Sequence, residues 1–215
     1  MKYAALFLAS ALFLGGCGAP GEPSAPSGSP QVVPLAEEAA PVPTKAEPPV
    51  IPEASAALSR DSLAAYGAGD AARALALTGE ALGQSDKNYE ALALRGLLIA
   101  FDGSPDEGAA LVRQALALYP DYVQGSYDLA MALKLGGHYE ESIDAFRKVL
   151  EADPQNVWSL YGIATNYSDM RDREQALFWL KQAVALAPAE VKPEAAVQDH
   201  FQWLHGDAEF DALVR

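Results

Sequence analysis

The sequence predicts an all-α chain. Its expected form is an α-α superhelix, or solenoid, of about four helix-turn-helix units. A C-terminal capping helix closes it and a disordered proline-rich tether precedes it. Three observations carry this expectation. Pro120, Pro154 and Pro188 stand 34 residues apart. Leu82, Leu116, Leu150 and Val184 keep the same 34-residue period, as do Ala81, Ala115, Val149 and Ala183, and the small set Ala74, Gly108, Ser142 and Ala176. Ten of the 15 prolines lie between Gly18 and Ser55, and no aromatic residue occurs between Phe13 and Tyr66. A period of that length, with small residues where helices must approach, is the pattern of a stacked helical repeat.

The chain begins with an export address, residues 1–16. Lys2 is the only charge before Glu22, and the run from Tyr3 to Gly16 is apolar or small. As a helix that run reaches about 21 Å, short of the roughly 30 Å of a bilayer core. It therefore reads as the apolar region of a signal peptide. Leu14-Gly15-Gly16-Cys17 resembles the lipobox of bacterial lipoproteins, and Cys17 is the only cysteine of the chain. The resemblance implies cleavage before Cys17 and acylation of that residue. Two or three acyl chains anchor a protein stably, whereas one is marginal. Gly18 stands where an aspartate often signals inner-membrane retention in this family. The implied location is the outer membrane, facing the periplasm.

Residues 17–55 form the anchor and tether. Gly18 to Ser55 holds ten prolines, three glycines and no aromatics. Such a stretch cannot bury enough apolar surface to offset its ordering entropy. Prolines favour extended polyproline II, so the tether would span about 120 Å fully stretched. Composition excludes other classes. The full chain carries 15 Lys and Arg against 29 Asp and Glu, a formal charge of −14. That balance argues against a nucleic-acid partner and against attachment to anionic lipid by charge alone. A single cysteine excludes an intrachain disulfide.

Residues 56–190 carry the repeats. In the third unit a first helix bears Tyr127, Ala130, Met131 and Lys134 along one side, and Gly136-Gly137 breaks it. A second helix runs from about Tyr139 to Ala152, with Ile143, Phe146 and Leu150 at helical spacing. In the second unit, Ser104-Pro105-Asp106-Glu107 has the capping-box pattern. Ser104 is expected to cap free amides and Glu107 to reach back. A 34-residue helix-turn-helix unit resembles the tetratricopeptide repeat (TPR) family. The resemblance covers four units, Ser55–Asn88, Tyr89–Tyr122, Val123–Asn156 and Val157–Glu190. Its small residue in the first helix is met by Gly96, Ala130 and Ala164, with Ser62 in the first unit. Its closing proline is met three times. Asp86 takes that place in the first unit, whose regularity is left open.

Residues 191–215 read as the capping helices that a solenoid needs over its last apolar face. Pro193 to His205 is expected as one helix, with Val197, Phe201 and Leu204 on one side. Asp207 is expected to cap a final short helix carrying Phe210.

No catalytic constellation emerges. His138, His200 and His205 lack zinc-peptidase spacing, and neither a nucleophile elbow nor a phosphate-binding glycine loop is present. No cofactor or metal is expected, and the chain is not expected to be an enzyme. The TPR resemblance implies a concave groove, lined by the first helices, that holds a protein or peptide. Its candidate residues are Tyr66, Glu90, Leu97, Gln124, Tyr127, Met131, Trp158 and Tyr161, with Tyr127 and Tyr161 stacking as neighbours. The implied task is a membrane-anchored adaptor for envelope proteins, assisting assembly of a pilus, secretin or outer-membrane protein machinery. The opposing class is a lipoprotein with a ligand-binding or hydrolytic role in cell-wall metabolism.

Overall fold

The computed structural model describes residues 47–215. The address, Cys17 and most of the tether lie outside the described residues. The helices fall in pairs. They are α1 (Glu53–Gly67) and α2 (Ala71–Gln84), α3 (Tyr89–Phe101) and α4 (Pro105–Leu118), α5 (Val123–Leu135) and α6 (Tyr139–Ala152), and α7 (Val157–Asp169) and α8 (Arg173–Leu186). The all-α solenoid is what the structure shows, and the first pair is as regular as the rest. None of the described helices is long and apolar enough to cross a membrane.

The turn inside each pair is one repeated device. Gly69, Gly103, Gly137 and Arg171 all have positive φ, and they share the 34-residue register. After each comes a backbone N–H that reaches back over the helix end. Asp70 donates to Ala65, Ser104 to Ile99, His138 to Leu133 and Asp172 to Tyr167, at 2.9 to 3.1 Å. This is a Schellman closure, which needs a left-handed residue before the bond. It also corrects the capping-box expectation. The Ser104 amide is already taken by Ile99, so Glu107 has no orphan donor to reach, and the Ser104 hydroxyl makes no cap bond. Pro105 does take the first helical turn. Arg171 bears the left-handed conformation without being glycine, and its guanidinium lies 5.1 Å from the Trp203 ring centroid. Gly103 has φ +104° and open space at its Cβ position. Gly103→Ala is therefore expected to cost about 1–2 kcal/mol through backbone strain alone, read by urea denaturation. An unchanged midpoint would refute it.

Small residues set the pair spacing. A Cβ on Gly96 would lie 2.5 Å from the Gly108 carbonyl oxygen and 2.7 Å from Val112 Cγ2. In the next pair Ala130 and Ser142 hold those places, and the Ser142 hydroxyl donates to the Ala130 carbonyl at 2.8 Å. Larger residues then fill the space between pairs. Phe146 is fully buried and packs with Leu133, Ile143 and Ile163. The Phe146 ring occupies the space where a Cβ on Gly162 would go.

Polar staples hold the start of the solenoid. Asn88 is fully buried, and its amide donates to the Ser55 and Ser59 hydroxyls at 2.7 and 2.8 Å. Its oxygen caps α3 by accepting from the Ala91 amide, and Ser55 donates onward to the Ala81 carbonyl. One side chain thus ties α1, α2 and α3 together. The equivalent Asn156 caps α7 from its own register position.

The C-terminal segment departs from expectation. Pro188 does not follow its helix in a turn, as Pro120 and Pro154 do, but opens α9 (Pro188–Val197). Pro193 lies inside that helix rather than at its start. Gln198 is extended, and Asp199–Leu204 is a 3-10 turn. The single helix expected from Pro193 to His205 is therefore broken after Val197. The break turns Phe201 and Leu204 into the core and leaves Val197 73% exposed. Asp207 caps α10 (Ala208–Val214) by accepting from the Glu209 and Phe210 amides, as its position after Gly206 predicts.

Candidate functional site

The first helices form the inner layer. α3 packs directly on α5, and α1–α3 and α5–α7 also touch, whereas the second helices make no comparable contacts with one another. The side chains that face across the inner layer therefore come from α1, α3, α5 and α7. This is where the candidate residues fall, but the layer is paved more tightly than a bare groove. Tyr66, Leu97, Trp158 and Tyr161 are buried, Glu90, Tyr127 and Met131 are half-buried, and Gln124 is exposed. Ala93, between Glu90 and Leu97 on α3, is fully buried. Lys134, the next residue of the α5 stripe, is largely buried.

The two rings expected to stack are engaged otherwise. Tyr127 meets the Phe146 ring edge-on at 5.5 Å. Tyr161 meets Trp158 at 5.7 Å and Phe201 at 5.8 Å. Phe201 belongs to the C-terminal 3-10 turn, so that turn closes one end of the inner layer. Burial pushes the Tyr127 and Tyr161 hydroxyls well above the usual phenol range, so neither is an acid–base group at neutral pH.

Two features of this layer have no counterpart in the 34-residue pattern. The first is an ionic chain. Lys134 Nζ donates to Thr165 Oγ1 at 2.7 Å and to Asp169 at 3.1 Å, and His200 Nδ1 lies 2.8 Å from the other Asp169 oxygen. Burial lowers the Lys134 amine to about 8, against the pull of Asp169. Burial alone would raise the Asp169 carboxyl, but His200 and Lys134 outweigh it and hold the group below its ordinary value. The chain joins α5, α7 and the 3-10 turn. The Ser168 hydroxyl adds to it, donating to the His200 carbonyl and accepting from Trp203 Nε1.

The second feature is Asp128, 2% exposed on α5. Gln124 Nε2 donates to it at 2.8 Å, and burial pushes its carboxyl up to about 7. Sequence reasoning passed over Asp128 because an acidic residue on a surface-like helix reads as solvated. Its register offered a signal, since the same place holds Leu94 and Gly162 in the flanking units. Among the described residues no group of His, Cys, Asp and Glu is arranged to hold a metal ion.

Comparison with known proteins agrees with this architecture. The tetratricopeptide repeat family profile matches residues 123–156 and 159–190, the third and fourth pairs. No curated protein sequence matches the chain. Among solved structures, a thermophilic TPR protein of Thermus thermophilus aligns at TM-score 0.62 and 20% identity, over 74% of this chain and 87% of its own. YrrB, described as a TPR protein with an unusual peptide-binding site, aligns at TM-score 0.56 and 19% identity, over 67% and 75%. An O-GlcNAc transferase of Thermobaculum terrenum aligns at TM-score 0.57 and 25% identity, over 61% of this chain. This chain spans only 26% of that transferase. Tetratricopeptide repeats are scaffolds for protein and peptide interaction, generally without catalysis of their own.

Proposed function

We propose that this tetratricopeptide repeat protein is an acylated, envelope-tethered adaptor. It presents a partner-binding groove at a distance from a membrane. One observation carries the reading: the chain's lone cysteine closes a short apolar leader, and a proline-rich spacer then leads into a stacked helical scaffold. Lipid on Cys17 supplies the anchor, the spacer the reach, and the inner helices the contact surface. The partner is a protein or peptide of the cell envelope, and the task is assembly of an envelope complex. The outer membrane, on its periplasmic side, is the proposed location.

Two measurements test this. Cys17→Ala should move an exported protein from the membrane to the soluble fraction, and unchanged fractionation would overturn the anchor. The groove is tested on α5, where Met131 and Leu135 are one turn apart and Leu135 is 45% exposed. Crosslinking in intact envelopes should recover a defined partner with wild type and lose it with Met131→Glu/Leu135→Glu, while helix content is retained. Equal recovery by a folded double variant would place the contact surface elsewhere.

A further inference from the structure

Asp128 is a cost that the fold does not require. Its place in the two flanking units is filled by Leu94 and Gly162. Burying a lone carboxylate is unfavourable unless a cation or several donors compensate it. Here the compensation is a single amide from Gln124, and among the described residues no lysine, arginine or histidine offsets its charge. Gln124 is itself exposed, one turn earlier on the same helix. A solvent-facing side chain on rotatable bonds therefore supplies the one hydrogen bond to a buried acid.

The surroundings suit such a donor. Tyr66 from α1, Tyr122 from the turn before α5 and Tyr127 from α5 itself all stand within the electrostatic reach of the Asp128 carboxylate. Glu90 of α3 is a second acid whose charge acts on Tyr122, and the charge of Arg60 on α1 acts on Glu90 in turn. Tyrosine faces and a carboxylate together favour an ammonium or guanidinium group. The field of the whole scaffold points the same way, since from residue 56 onward 13 Lys and Arg stand against 24 Asp and Glu.

We propose that Asp128 receives a lysine or arginine side chain of the partner, with the Gln124 amide swinging aside to admit it. This rests on the groove reading above and adds the chemistry that the groove selects. The incoming cation pairs with the ionised carboxylate, and any proton on Asp128 passes to solvent.

The test uses the full chain and a small probe, n-butylguanidinium chloride, with uncharged n-butylurea as control at matched ionic strength. The Asp128 carboxyl is followed by carbon-13 NMR. Saturating guanidinium should lower its titration midpoint by at least one pH unit, and butylurea should leave it unchanged. Gln124→Ala, which removes the cover, should bring the same change at lower probe concentration. In Asp128→Asn the Tyr66 and Gln124 amide signals should no longer respond to the guanidinium. Equal midpoints with both probes, or an undiminished response in Asp128→Asn, would overturn the proposal. Because no protein partner enters this assay, its outcome is independent of whether the Met131/Leu135 variant still captures one.

Discussion

Asp128→Asn is expected to stabilise the repeat domain at pH 8 by on the order of 3–4 kcal/mol, and to do little at pH 3. The sign follows from the direction in which folding moves the carboxyl. It is raised from 3.8 to about 7 by burial, with Gln124 opposing. A group raised on folding favours the native state while it is protonated. That contribution is full below the unfolded value and is lost as pH rises toward the folded one. A difference of one pH unit between the folded and unfolded midpoints is worth about 1.4 kcal/mol, which sets the size of the effect. The measurement is chemical denaturation of both proteins from pH 3 to 8. The gap between them should open between about pH 4 and 7 and then level off. Asp169 and Asp207, both held below the ordinary carboxylate value, act in the opposite sense at lower pH. They are common to both proteins and cancel in the difference. A constant gap across the range would show that folding leaves the Asp128 midpoint where it stands in the unfolded chain.

Gly96→Ala should destabilise the domain by about 2–3 kcal/mol, whereas Gly79→Ala should stabilise it by up to about 1 kcal/mol. The substitution is the same and both sites are helical, so propensity favours alanine at each by a similar amount. The difference is what the methyl meets. At Gly79 it touches only Arg95 Nη1 at 3.5 Å, an ordinary contact with a flexible group. At Gly96 it strikes the backbone of α4 and the Val112 side chain at once. Gly108 presses back on Gly96 and Ala100 in the same way. Neither helix can yield without opening the pair, so overpacking outweighs propensity. Thermal or urea unfolding of the two variants checks this, and stabilisation by both would mean that the α3–α4 crossing relaxes freely.

The contrast shows what was legible in the sequence and what was not. Gly96 and Gly108 sit in columns of small residues, so a close crossing can be read from spacing alone. The positive-φ column is half visible. Three of its members are glycine, but Arg171 holds the fourth place, supported by Trp203 from a segment about thirty residues away. The Ser104 motif misleads because it is local, while its competitor, the Ile99 carbonyl, is set by how the preceding helix ends. The C-terminal helix is shorter than its pattern implies for a related reason. The i, i+4, i+7 spacing of Val197, Phe201 and Leu204 fits a helix, yet burial of Phe201 against Tyr161 is reached by breaking it. Of the candidate groove, the stripe on the first helices was legible and the depth of its residues was not.

By itself the sequence determined the periodic part of this protein: the all-helical class, the paired units and the places where helices come close. Those features repeat, and a repeated constraint leaves a repeated residue type. The tertiary structure alone decided what happens once. It decided that Asn88 staples three helices, that Lys134, Asp169 and His200 bind the terminal turn to the inner layer, and that Asp128 is buried without a cation. Each depends on partners from different units meeting at one point. Contacts of that kind are fixed by how helices stack, and a linear pattern does not record them.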